Sequence, residues 1–313
     1  MTAYHRMAGL VLGAIPLLVA GAALGGDADS FTASIEAGLM RLTATETVNI
    51  NGFRLSELDW KSDNVQVLRG SLGFNLTPDW QIKAEGRIGW DGDGKMTDYD
   101  WVAPYYTDTS KSGWSHQSIH NDTALDHYFS GSLEINRKFL DDGTQTLSGG
   151  LGARYNDVQW TARGGTLLYS VGGFRNYSAT IADGVEGITY RQQIPSVYAH
   201  IDGSQVFGRL TLDAGLEGGV MVKARATDNH WLRDLKVTDN FDVAPTLGAN
   251  AGLSYRLTRS AALYLKGSYE YTDFGNGDAT YRDTVTGAEN TYEDYAGAKF
   301  KAIYIGGGLK GTF

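Results

Sequence analysis

Alternation of apolar and polar residues, kept up on segment after segment with charges in the middle of the polar series, limits this chain to strands that separate two environments. From Leu210 the apolar or small series reads Leu210, Leu212, Ala214, Leu216, Gly218, Val220 and Val222. The intervening series reads Thr211, Asp213, Gly215, Glu217, Gly219, Met221 and Lys223. Side chains of a strand point alternately to its two faces, so one face suits lipid and the other a polar lumen. Ile82, Ala84, Gly86, Ile88 and Trp90 repeat the pattern against Gln81, Lys83, Glu85 and Arg87. Leu263, Leu265, Gly267, Tyr269 and Tyr271 do so against Tyr264, Lys266, Ser268 and Glu270. A soluble sandwich also alternates, but it does not set acids and bases at the centre of its inward face on each strand. The chain ends on Ile303, Ile305, Gly307, Leu309, Gly311 and a terminal Phe313, the form of a last strand in an outer-membrane barrel.

Turn residues divide the chain. Short turns are predicted at Thr77-Pro78-Asp79, Asp141-Asp142-Gly143, Asp202-Gly203-Ser204 and Thr258-Arg259-Ser260, with long polar loops near 44–54, 91–123, 157–188, 225–242 and 273–297. Short turns on one side and long loops on the other are the asymmetry of bacterial barrels. Four short turns and five long loops imply a ten-stranded antiparallel transmembrane β-barrel, all-β, standing proud of the membrane on its extracellular side. The 18 tyrosines and 7 tryptophans can supply interfacial girdles. Before the barrel, one charge at Arg6, an apolar run from Met7 to Leu24 and small residues ahead of Asp27 form a secretory signal. The expectation is a removed signal peptide, 1–25, and a single barrel domain, 26–313, in a bacterial outer membrane.

Composition narrows the chemistry. No cysteine is present, which removes disulfides, thiolate metal sites and thiol nucleophiles. A net charge of −9 argues against a nucleic-acid partner, whose phosphates ask for a basic face. Two clusters fall at strand-to-loop junctions. Asp98 and Asp100 lie two apart in Lys95-Met96-Thr97-Asp98-Tyr99-Asp100-Trp101, and Asp228 and His230 lie two apart in Ala226-Thr227-Asp228-Asn229-His230-Trp231. In extended backbone each pair shares a face. A carboxylate beside an imidazole orients it and favours its protonated form, as a general base requires. If both faces point into the barrel mouth, the pairs can hold a water between them; otherwise they are solvated loop acids. A calcium loop at Asp91-Gly92-Asp93-Gly94 fails on Lys95 and the missing closing glutamate. His230 lacks a second histidine at zinc-ligand spacing.

At these residues the chain resembles the omptins, ten-stranded outer-membrane endopeptidases. The resemblance runs from about Ala33 to Phe313. It is carried by Ser56-Glu57-Leu58-Asp59-Trp60, the block Met96–Trp101, Trp114 followed by His120-Asn121-Asp122-Thr123, Thr161-Ala162-Arg163-Gly164-Gly165, Gly173-Phe174-Arg175, and the Asp-x-His of Asp228 and His230. It implies that Asp98 and His230 activate the attacking water, that Asp228 orients the imidazole, and that Asp100 supports the opposite side. No metal or other cofactor is implied, and polypeptides are the substrates of a monomer.

Two family features depart from the expected pattern. Members that cut beside basic residues line the pocket for the residue before the cut with acids. Glu46 matches one of them, while Ala226 stands at the second and His116 at the acid associated with the residue after the cut. Omptins also bind lipopolysaccharide phosphates on the outer wall, often as a requirement for activity. Tyr155 and Asp157 match that site, but Gln159 and Gln193 occupy expected arginine positions, with Arg191 on the same strand face as Gln193. The rival reading is a non-enzymatic adhesin or binding scaffold built on the tyrosine-rich loops.

Overall fold

The structure, a computed structural model, describes residues 30–313; the expected signal segment lies outside them. The described residues form fourteen strands: β1 (Phe31–Ile50), β2 (Phe53–Asn75), β3 (Trp80–Trp90), β4 (Asp93–Asp100), β5 (His116–His120), β6 (Asp122–Asp141), β7 (Gln145–Tyr169), β8 (Tyr177–Phe207), β9 (Leu210–Val222), β10 (Arg225–His230), β11 (Leu235–Asn240), β12 (Val243–Arg256), β13 (Ala261–Asp283) and β14 (Glu289–Thr312). Four pairs, β3 with β4, β5 with β6, β9 with β10 and β11 with β12, run on end to end across one- or two-residue breaks. The fourteen therefore make ten staves. Antiparallel pairing of β1 with β14, from Thr32↔Thr312 to Val48↔Ala296, closes the ring.

Three of the four predicted short turns stand where the turn residues put them. The third is corrected. β8 runs through Asp202-Gly203-Ser204 to Phe207 and turns at Gly208–Arg209, where Gly208 has φ +63°. Asp202 is held in the strand, its carboxylate taking a 2.6 Å bond from His200 Nδ1. The five long loops are corrected too, because most of four of them and nearly half of 91–123 is strand. What is left between the staves on that side is 51–52, 101–115, 170–176, 231–234 and 284–288. Polar, glycine-rich strands look like loops in sequence because above the membrane their outer face meets water.

Trp80 and Trp90, both exposed, bracket β3, whose eleven residues match a tilted membrane crossing. Around this level Leu72, Leu133, Leu151, Leu216, Leu265 and Ile305 are each more than half exposed on the outer wall. The lumen behind them is charged: Arg69 Nη1 lies 2.6 Å from Glu36, Arg87 Nη2 2.5 Å from Glu270, Arg154 Nη2 2.8 Å from Glu217, and Tyr198 donates to Glu134 at 2.7 Å. Toward the loops the contents change. Trp60 stacks on Tyr190 at 5.5 Å and on Trp160 at 6.3 Å, and Met40, Leu42, Met96, Phe241, Phe274 and Phe300 pack with them into a buried apolar layer.

The change of contents comes with a change of phase. On β9 the odd residues, Glu217 and Met221 among them, face inward; on β10 the even residues Ala226 and Asp228 are buried. The one-residue slip sits at Lys223–Ala224, where Lys223 has φ +54° and an exposed side chain. A bulge adds one residue and so exchanges the two faces of a strand. β3 and β4 switch in the same way at Asp91-Gly92, with φ of +61° and +112°, and β2 switches at Asn64, φ +55°. Gly94, just beyond, lies so near Thr123 that a Cβ would sit 1.8 Å from its carbonyl oxygen. The Asp91–Gly94 segment, rejected above as a calcium loop, holds the strand break itself, with Asp93 accepting from Asn64 at 2.7 Å.

Candidate active site

The bulges turn Asp98 and Asp100 of β4, and Asp228 and His230 of β10, toward the mouth of the barrel from opposite walls. Asp100 stands beside Ser56 and His116 in the sheet, and Asp98 beside Leu58 and Ser118. Ser56 Oγ donates to Asp98 Oδ1 at 3.3 Å. On the other wall His230 Nε2 lies 2.6 Å from Asp228 Oδ2, and Asp228 is almost fully buried between Tyr190 and Val237. This bond fixes the ring and leaves Nδ1 as the nitrogen able to take a proton. The sequence-predicted four therefore come together as two facing pairs.

Electrostatics link the walls. Burial, followed by repulsion from Asp100 and then Asp228, holds the Asp98 carboxyl well above the usual carboxylate range, while the Ser56 hydrogen bond works against it. Burial also raises Asp100, opposed by Ser56, His116, Arg233 and His230. Two aspartates with raised affinities facing a histidine–aspartate pair form a site that shares protons readily. Tyr169 is pushed up to about 12 by burial and by the same two aspartates, so its phenol stays protonated at the rim. Its ring meets His116 edge-on at 4.9 Å, and His116 Nδ1 is bonded to Ser115 Oγ at 2.8 Å.

Glu46, from β1, is buried below Asp228. Burial first, then repulsion from Asp228 and Asp239, holds its carboxyl well above the usual range. Asp239, on β11, is a buried acid that sequence reasoning missed: within Val237-Thr238-Asp239-Asn240 it reads as a loop residue. Arg233 and Tyr169 were missed for the same reason, whereas Ser56 was read as part of the Ser56–Trp60 segment without a role in the site. The only available signal was the two-residue spacing of Val237, Asp239 and Phe241, visible once the segment is known to be a strand.

On the outer wall, Arg191 Nε donates to Asp157 at 2.8 Å, His127 Nε2 lies 3.0 Å from the same carboxylate, and Gln193 Nε2 donates to the Tyr155 hydroxyl at 2.8 Å. Gln159 is taken up by Asp126 at 2.9 Å.

A closed ten-stave barrel with facing acid and acid–histidine pairs above a buried apolar layer defines a class of outer-membrane hydrolase-like sites, and comparison with known proteins makes the class specific. The model of the omptin family matches residues 27–313, and the chain belongs to that family. It is 27% identical over 291 residues to the plasminogen activator of Yersinia pestis, covering 91% of this chain and 90% of that one. It is 28% identical over 298 residues to protease 7 of Escherichia coli strain K12, covering 91% of each. The crystal structure of outer membrane protease OmpT from Escherichia coli superposes with a TM-score of 0.85 at 24% identity, covering 92% of this chain and 98% of that one, and shares the fold. The protein is an outer-membrane protease whose site opens on the extracellular side.

Proposed function

We propose that this protease cleaves peptide bonds by direct attack of a water held between Asp98 and His230. The observation that carries the reading is the 2.6 Å Asp228–His230 bond on one wall, facing the raised Asp98–Asp100 pair on the other. His230 takes the proton of the water through its free nitrogen, and Asp228 stabilises the imidazolium that results. Asp98 holds the water, and Asp100 supports Asp98. No acyl-enzyme forms, because water and not a side chain meets the carbonyl. The same reading makes the enzyme a monomer without metal or organic cofactor. It also favours a basic residue before the cut, on the strength of the buried carboxyl of Glu46.

The expected result is that intact cells carrying the protein cleave an internally quenched peptide with arginine before the scissile bond, and that EDTA leaves the rate of the refolded protein, supplied with lipopolysaccharide, unchanged. Addition of hydroxylamine yields no hydroxamate. Appearance of a hydroxamate would mean an acyl intermediate and overturn the direct-water reading.

Lipopolysaccharide binding is proposed on the outer wall at Tyr155, Asp157 and Arg191. Arg191 and His127 share Asp157, which keeps a cation at headgroup level although Gln159 and Gln193 lack charge. A single arginine gives a weaker phosphate site than several. Refolded, lipid-free protein is expected to gain activity on adding lipopolysaccharide, and Arg191→Ala to need more of it for half-maximal gain. Equal activity with and without lipopolysaccharide would remove the proposal.

A further inference from the structure

Ala226 is an alanine where a second pocket acid is expected, yet its cross-strand partner carries one. Ala226 of β10 pairs directly with Asp239 of β11. Directly opposed residues on antiparallel strands project to the same face, so the two share the lumen. Asp239 is 4% exposed and Ala226 fully buried. On its other side Asp239 is paired with Ala279, so neither neighbour in the sheet fills or bonds the space around its carboxyl.

One oxygen of that carboxyl, Oδ1, is buried with no hydrogen bond. So are Glu46 Oε2 and Asp228 Oδ1, and among the described residues no ion pair joins Asp239 or Glu46 to a cation. Unsatisfied buried acids destabilise a fold, so their persistence points to a ligand that supplies donors. Among the described residues they do not converge as a metal-ligand group. A planar guanidinium, with five donors in a fixed fork, can bridge carboxylates arriving from two strands. An ammonium can bridge them as a point charge.

We propose that Asp239 is a specificity-determining residue of this protease, seating with Glu46 the cationic side chain of the residue before the cut and replacing, from the neighbouring strand, the acid missing at Ala226. This rests on the basic preference proposed above and names the residue that completes it. With alanine at 226, only a methyl group stands opposite Asp239 on β10.

The seat also has a pH signature. The charged and titratable groups around Asp239 are Asp228 from β10, Glu46 from β1, Tyr190 from β8 and Tyr281 from β13, with Arg233 beyond Tyr281. Burial, then repulsion from Asp228, pushes Asp239 up to about 8. At neutral pH the empty seat keeps its proton, and an arriving cation must displace it. KM for an arginine peptide therefore rises as pH falls from about 8, by up to about tenfold per pH unit, whereas KM for the isosteric citrulline peptide does not follow.

The test compares peptides with arginine, lysine, citrulline or norleucine before the cut, using wild type, Asp239→Asn, Glu46→Gln and the relocated acid Ala226→Asp/Asp239→Ala. Heat-modifiable gel mobility reports the folded fraction of each. Asp239→Asn is expected to lower the arginine-to-citrulline ratio of kcat/KM by about 10- to 100-fold, the worth of a charge-assisted contact, and to flatten the pH dependence of KM. The relocated acid restores the ratio. An unchanged ratio in Asp239→Asn, with a collapsed ratio in Glu46→Gln, would overturn the role of Asp239 alone. A wild-type enzyme that treats arginine and citrulline alike would overturn the basic preference and this inference with it.

Discussion

His230→Ala lowers kcat by about 10²- to 10⁴-fold, the usual contribution of a positioned general base. KM for the same peptide changes little, because the imidazole acts on water and not on the substrate side chains. The barrel is expected to assemble normally. β10 is held on both sides by backbone pairing, His230 opposite Ile188 and Leu235, and that pairing does not depend on the ring. Asp228→Asn gives a related loss by a different route, since the amide can still reach Nε2 but no longer stabilises a cationic ring. Asp98→Ala removes the other side of the water site. Purified, folded His230→Ala with wild-type turnover would refute the catalytic assignment.

Arg87→Met is expected to cost the barrel about 3–5 kcal/mol, the penalty for stripping one partner from a buried ion pair. Arg87 reaches from β3 to Glu270 on β13 at 2.5 Å and lies 3.3 Å from Glu85. It is the strut between strands on different sides of the lumen. Its removal leaves Glu270 with only Arg154, 3.6 Å away. Thermal or urea unfolding in detergent micelles measures the loss. The double variant Arg87→Met/Glu270→Met should recover most of it, because no lone carboxylate remains. If the double variant is as unstable as the single, the strut works by packing and not by charge.

The barrel itself was legible in sequence because lipid on one side and ions on the other impose an unbroken alternation on β3, β9 and β13. Asp98, Asp100, Asp228 and His230 were legible as pairs because spacing by two survives in any extended segment. Which way the pairs point was not. Alternation carried forward from Glu217 makes Asp228 an outward residue; the bulge at Lys223–Ala224 turns it inward. A bulge depends on one residue's dihedral angles and leaves only a faint trace, such as Asp91-Gly92 or Asn64. Asp239 was hidden for the same reason, since its role depends on pairing with Ala226 thirteen positions earlier in sequence. The turn after β8 was misjudged because Asp202-Gly203-Ser204 has turn chemistry that a lumen partner, His200, overrides.

The stacked Trp60, Trp160 and Tyr190 lie between two sets of ionisable groups, the site above and the paired arginines and glutamates below. Protons hop along chains of water and polar groups, and this mostly apolar layer offers such a chain few groups to pass through. The acid–base state of the mouth is thereby insulated from the compartment beneath it. Acidifying the periplasmic side of a membrane holding this protein should leave its turnover at the outer face untouched, so the enzyme answers only to the fluid in which its substrates arrive.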